Sequence, residues 1–310
     1  MAIPTYLMSY PAAQWSIRGA ANFRSQARST TSPRRAFREW LTLADAILRA
    51  GGPILVMPPA ATETPLTGMI YTANLGHLFR DQFLLSNMSV AHRRAERDIV
   101  RSFMEKAGVS TRDASAEWEG QAELQWLGGN RFVATYGVRS ARESVAELRP
   151  LLPPNTKLLE LQIRDPFFHG DTCLNPITNR AGDLVLLAHG SAFIGATLET
   201  LRDFLGSTGE VVALDEGDTL AYACNALCVG GTLLMPSGVS ASLRGQLVRR
   251  GFVLEELELP ELFGKGGGGP RCLVNELRGL VLNPGAPSYA ELRDELYKLV
   301  ESYPEGALNA

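Results

Sequence analysis

The chain has 310 residues and a mass of 33.7 kDa, with 30 Lys and Arg against 33 Asp and Glu, giving a formal charge of −3. Hydrophobic residues make up 45% and charged residues 20%, which suits a large packed core and excludes a disordered chain. That balance holds no nucleic acid, no apolar run approaches the ~20 residues that span a bilayer, and four scattered cysteines suggest a reducing compartment, the cytoplasm.

The opening MAIPTYLMSYPAAQWS lacks a basic stretch followed by an apolar run, so no secretory signal is expected. Arg18, Arg24, Arg28, Arg34, Arg35, Arg38 and Arg49 make the first fifty residues basic. Without interleaved aromatics they read as a solvated face rather than an anion-binding arm. Pro33 to Ala50 carries apolar residues at helical spacing and stops at Gly51-Gly52. A short strand at 53–57 follows, then a helix over Ala91–Lys106, a strand over Asn130–Tyr136, a helix over Ala141–Leu151 and a strand over Lys157–Ile163. Leu184–Ala188 is extended and Gly195–Phe204 helical. Strands at 211–214, 231–235 and Phe252–Leu259 enclose a helix at Ser240–Arg250, and Ala290–Ser302 is a last amphipathic helix. The units recur at roughly 50 to 60 residues, which fits either a doubly wound sheet or a closed ring of ββαβ-type units. No Gly- or Ser-rich linker divides residues 1–310, so a single domain is expected.

Four segments carry polar chemistry. In Phe263-Gly-Lys-Gly-Gly-Gly-Gly-Pro-Arg-Cys272 the glycines allow close approach of backbone, and Pro270-Arg271 stands where a phosphate loop needs Lys-Ser/Thr. The segment presents Cys272 as a nucleophile with Arg271 beside it, or is a flexible turn before a buried, inert cysteine. In His169-Gly-Asp171 an extended backbone would aim both side chains to one side, with the carboxylate holding a general acid/base imidazole or binding a cation next to it. A structural histidine, or an iron site completed by His189, are the competing readings. Glu117-Trp-Glu119-Gly-Gln-Ala-Glu123 is a cation site or a solvent-facing acidic turn, and Tyr71-Thr-Ala-Asn74 is a turn. Cys224 and Cys228, in an apolar run, read as core rather than as metal ligands.

Taken in order, Tyr-Thr-Ala-Asn74, Glu119-Gly-Gln, Tyr136-Gly-Val-Arg139-Ser, His169-Gly-Asp171-Thr-Cys and Gly-Gly-Gly-Gly-Pro-Arg-Cys272-Leu resemble the guanidine-modifying enzymes, from about Tyr6 to Leu282. That superfamily includes arginine deiminases, dimethylarginine dimethylaminohydrolases, amidinotransferases and arginine dihydrolases. The resemblance implies an α/β five-bladed, pseudo-symmetric propeller with its site in the central channel. It makes Cys272 the nucleophile, His169 the general acid/base, and Glu119 and Asp171 the carboxylates that clasp a guanidinium. It suggests Arg93 and Arg139 as partners of the substrate's carboxylate, where plain surface salt bridges are the alternative. Asn74 and Asn22 resemble the two asparagines of the arginine dihydrolase branch. That branch usually has an Asp where Gly68 stands, and Gly-Asp where Ala122-Glu123 stands. The implied activity is hydrolysis of arginine or an arginine-like guanidino compound with no cofactor and no metal. The alternatives are an amidinotransferase and a non-catalytic guanidino-binding protein. The implied partner is a small molecule, and assembly into a homo-oligomer stays open.

Overall fold

The computed structural model describes residues 3–18, 22, 24–25, 30–62, 65–280 and 285–305. Met1-Ala2, the Gly19-Ala-Ala and Phe23 flanking Asn22, Arg28 and Leu282 lie outside them. Strand β1 (Thr5–Ser9) leads to helix α1 (Pro33–Arg49), and β2 (Ile54–Met57) returns parallel to β1. Ser32 caps α1 by accepting from Arg35 N, Pro33 occupies the first turn, and Phe37, Trp40, Leu41, Ala44 and Ile47 form the buried face.

The next three units repeat one plan: an antiparallel pair, a crossover helix, then a strand parallel to the second of the pair. They are β3 (Gly76–Phe79), β4 (Gln82–Leu85), α2 (Glu96–Lys106) and β5 (Ser110–Asp113); β6 (Leu124–Trp126), β7 (Arg131–Tyr136), α3 (Glu143–Leu148) and β8 (Lys157–Ile163); and β9 (Leu174–Thr178), β10 (Leu184–Ala188), β11 (Phe193–Ile194), α4 (Leu198–Leu205) and β12 (Glu210–Ala213). Within the last of these, β11 adds to the edge of β8. Helix α5 (Glu216–Leu220) leads to a further repeat, β13 (Leu227–Val229), β14 (Thr232–Pro236), α6 (Ala241–Arg249) and β15 (Val253–Leu257). Finally β16 (Asn275–Leu277) pairs antiparallel with β1, so a strand from near the end of the chain completes the first sheet. Helix α7 (Tyr289–Glu301) packs on α1. A parallel pair needs a long crossover, which is why each unit spends a helix between its last two strands. The described residues form five sheets in a mixed α/β fold.

Just before the first strand of each unit the chain makes a tight turn, at 72–74, 120–123, 170–172, 223–225 and 270–273. Consecutive turns touch. A Cβ on Gly120 would meet Asn74 O at 2.8 Å. Gly170 N donates to Glu123 Oε2 at 3.1 Å, Asn225 Nδ2 to Asp171 O at 3.2 Å, and Arg271 N to Asn225 O at 3.0 Å. Ala73 N then donates to Cys272 O at 3.3 Å, which returns the series to its first turn.

Three expectations change. The helices expected from Ala91, Ala141 and Gly195 begin at Glu96, Glu143 and Leu198, after loop or 3-10 segments. The expected run of His169-Gly-Asp171 as a strand is replaced by an extended His169 followed by a 3-10 turn over Gly170–Thr172, so the two side chains do not alternate along a strand. The basic N-terminal face is partly spent on ion pairs, Arg38 to Glu301 and Arg35 to Glu261 among them. No helix among the described residues is long and apolar enough to cross a membrane.

Candidate active site

Cys272 sits in the last of the five turns, 4% exposed, and lines a pocket with about 70 Å³ of free volume. Trp15, Tyr71, Asn74, Arg139, Phe168 and His169 line it, with Gly266 to Gly268 on one wall. The glycines are needed for space. A Cβ on Gly268 would enter the Tyr71 ring, and one on Gly267, whose φ is +80°, would enter the Asn22 amide. The Cys272 thiol donates to Asp171 Oδ2 at 3.6 Å. Burial pushes that thiol well above its usual range, the Asp171 charge adds to the rise, and Asn225 and Arg271 pull the other way.

Asp171 is fully buried. Its Oδ1 has no hydrogen-bond partner, and burial raises its carboxyl above the ordinary carboxylate range against the pull of His169 and Arg271. The carboxylate that holds the imidazole is Glu119, not Asp171: His169 Nε2 lies 2.8 Å from Glu119 Oε2. Ser89 donates its backbone N–H and its hydroxyl to Glu119 Oε1, and Arg139 NH1 reaches Oε2 at 3.4 Å. Burial pushes the Glu119 carboxyl up, but the His169 hydrogen bond and the charges of His169, Arg139 and Arg93 outweigh it and hold the group well below the usual carboxylate range. Both Glu119 oxygens are thus engaged within the protein, and Glu119 is not among the residues that line the pocket. His169 Nδ1 has no partner. Of the acidic segment read as a cation site or a solvent-facing turn, Glu119 and Glu123 are buried and Glu117 is exposed.

Asn74 lines the pocket at 3% exposure. Its Oδ1 accepts from Arg93 NH1 at 3.0 Å, and its Nδ2 has no partner. Arg93 is 6% exposed and makes a buried pair, not a surface one. Its Nε and NH2 bind Glu96, and NH2 also reaches Gly68 O at 2.9 Å. A Cβ at position 68 would run into Arg93 and Glu96, so Gly68 is the space this ion pair fills. Asn22 has its amide engaged too, with Oδ1 accepting from Arg24 N and Ser25 N and Nδ2 donating to Gly266 O. Arg24 lies over Phe263 and Tyr222, with ring centroids at 4.2 and 5.2 Å.

No protein-family model matches the chain. It is 30% identical over 246 residues to the uncharacterized protein ZK1307.1 of Caenorhabditis elegans, covering 78% of this chain and 84% of that one. It is 28% identical over 243 residues to the N(G),N(G)-dimethylarginine dimethylaminohydrolase of Mycobacterium tuberculosis, covering 77% and 74%. Its fold matches the N-terminal domain of ArgZ, a cyanobacterial arginine dihydrolase solved bound to product. The TM-score is 0.80 at 24% identity, over 91% of this chain and all of that one. The chain belongs to the amidinotransferase-like, guanidine-modifying superfamily. Its named relatives hydrolyse guanidino compounds.

Within this superfamily member the turns bring Cys272, His169, Asp171, Glu119 and Asn74 together across four of the five units. Arg271 faces away from the pocket, toward Asn175 and Gln125. His189 is structural: Nδ1 contacts Leu214 O at 3.0 Å and Nε2 contacts Ser191 Oγ at 2.7 Å. Among the described residues no group of three His, Cys, Asp or Glu side chains could hold a metal. Cys224 is fully buried among apolar side chains. Asn225 escaped the sequence reading, and Glu123 was placed only within an acidic turn. Glu123 accepts from Gly170 N and Ser140 Oγ beneath the His169 turn, and burial pushes it up to about 7. Asn225 lies in the run Ala-Cys-Asn-Ala-Leu-Cys, where a lone amide among apolar residues is itself the signal, because a buried amide must find partners.

Proposed function

We propose that this protein is a cysteine-dependent hydrolase of the guanidinium of arginine or an arginine-like compound, with Cys272 as nucleophile and His169 as general acid/base. The observation that carries the reading is Asp171, a buried carboxylate with one oxygen free of partners and the other 3.6 Å from the Cys272 sulfur. A guanidinium is planar and donor-only, so it satisfies such an oxygen and lays its carbon beside the sulfur. Its positive charge also reverses the balance that keeps the thiol protonated.

The thiol proton passes to His169, and the sulfur forms a bond to the guanidinium carbon. The C–N bond to the leaving nitrogen breaks as His169 returns a proton to it, leaving an amidino-thioether on Cys272. Water gives a proton to His169 and adds to the same carbon, and the C–S bond breaks to restore the thiol. Glu119 keeps the imidazole oriented through both halves.

Asn74 favours the dihydrolase form of the reaction. Arg93 can only donate, so Asn74 Oδ1 must face it and Nδ2 remains for the ligand. A guanidinium has no use for a donor, whereas the ureido oxygen made by the first hydrolysis accepts from it, which supports a second round. The same reading takes the five ββαβ sheets as blades of a pseudo-fivefold propeller around this pocket, in one domain over residues 1–310. It needs neither metal nor cofactor, and four unpaired cysteines support the cytoplasm.

Mass spectrometry of products from L-arginine, with and without glycine or lysine as acceptor, tests this. Ornithine with two ammonia per turnover supports the dihydrolase, citrulline the deiminase, and acceptor-dependent ornithine the transferase. Full turnover by Cys272→Ala would overturn the proposal.

A further inference from the structure

The turn at 223–225 contributes nothing to the pocket lining, yet it sits directly behind the nucleophile. Asn225 is fully buried. Its Oδ1 accepts the Cys272 backbone N–H at 3.1 Å, its Nδ2 donates to the Asp171 carbonyl at 3.2 Å, and its own carbonyl accepts from Arg271 N at 3.0 Å. The amide orientation is forced, because one end meets a backbone donor and the other a backbone acceptor, and a flipped amide would satisfy neither. One side chain therefore ties the turn that carries the sulfur to the turn that carries Asp171 and follows His169.

A second feature points to the same contact. A Cβ on Gly269 would meet Asn225 Oδ1 at 2.9 Å, so the last glycine before Pro270 is the room Asn225 needs to reach the cysteine backbone. Tyr222, three residues earlier, holds a left-handed backbone (φ 63°), and Asn225 N donates to its carbonyl at 2.8 Å. Non-glycine residues in that conformation persist only where the surroundings demand it. The turn is built to bring this amide to this place.

We propose that Asn225 is a positioning residue that sets both the location of the Cys272 sulfur and the ease with which it ionises. Its N–H end faces the Asp171–Cys272 pair as a neutral donor, opposing the rise that burial and Asp171 impose on the thiol. This proposal rests on the reading of Cys272 as nucleophile, and its test does not require the natural substrate.

The test is the rate of Cys272 alkylation by 2-chloroacetamidine as a function of pH, read by peptide mass spectrometry. Wild type is compared with Asn225→Asp and Asn225→Ala. Asn225→Asp keeps an acceptor for Cys272 N–H but puts a carboxylate where the donor was. Its pH–rate profile should move up by about one unit, slowing alkylation about tenfold near neutral pH. Asn225→Ala should lose rate at every pH. Gly269→Ala, which crowds Oδ1 from the loop side, serves if either variant fails to fold, and it should slow alkylation in the same direction. Profiles within about twofold of wild type in folded variants would overturn the role of Asn225 while leaving the nucleophile in place. An unlabelled Cys272 in wild type would overturn the nucleophile and this proposal together.

Discussion

Glu119 Oε2 and His169 Nε2 lie 2.8 Å apart although fifty residues separate them, and both side chains are buried. Glu119 holds the His169 ring in place, and that contact selects which ring nitrogen is left for the substrate. Glu119→Gln keeps the shape and removes the charge. We expect kcat to fall about a hundredfold or more, with a much smaller change in KM, measured on whichever guanidino compound the wild type turns over.

Asp171 should show opposite effects with neutral and cationic reagents. It raises the thiol and also offers the acceptor for a cation. Asp171→Asn should therefore speed alkylation of Cys272 by neutral iodoacetamide and slow it with 2-chloroacetamidine. A change of the same sign with both reagents would refute the account.

Gly68 is predicted to be intolerant of any side chain. Alanine there collides with the Arg93–Glu96 pair, which is buried and holds Asn74. Gly68→Ala should cost about 1–3 kcal/mol in urea unfolding and lower turnover as well, because the Asn74 amide loses its anchor. A variant as stable and active as wild type would show that the pair can shift freely.

The pH dependence of stability has a sign set by two buried carboxyls. Glu39 accepts from Glu261 N and Leu262 N at 2.8 Å each, at the start of the segment that carries the glycine loop. Burial pushes it up to about 7 against the pull of those two hydrogen bonds, and burial does the same to Glu123. The folded state then binds protons more tightly than the unfolded chain. The stabilisation is complete below the ordinary value of 4.5 and is lost as pH rises through about 7. Thermal melts should show Tm falling from pH 5 to 8, and Glu39→Gln should flatten that fall. An identical slope in the variant would remove Glu39 from the explanation.

Elements with strong periodicity were legible from residues alone. Helix α1 matches its expected span to within a residue, since its apolar face, Ser32 cap and Gly51 stop are all local. Short strands such as β5, Ser-Thr-Arg-Asp, were not legible, because an exposed edge strand of four polar residues has no apolar alternation. Motif order was enough to single out Cys272, His169, Asp171, Glu119 and Asn74, since turn chemistry is written locally in Gly, Asn and Asp. Their partners were not written there. Spacing in His169-Gly-Asp171 left open whether Asp171 holds the imidazole or binds a cation beside it; the 3-10 turn places Asp171 at the thiol, and the imidazole meets Glu119 from another unit. Arg93, expected to meet a substrate carboxylate, lines the pocket with its guanidinium bound to Glu96, Asn74 and the Gly68 carbonyl, partners that its local sequence does not specify. Asn225 went unread, although its lone amide stands out in an apolar run. Sequence by itself determined which residue types stand in the turns. Only the tertiary structure decided which of them touch, because hydrogen bonds between turns about fifty residues apart depend on how five separate sheets pack, and no local pattern encodes that.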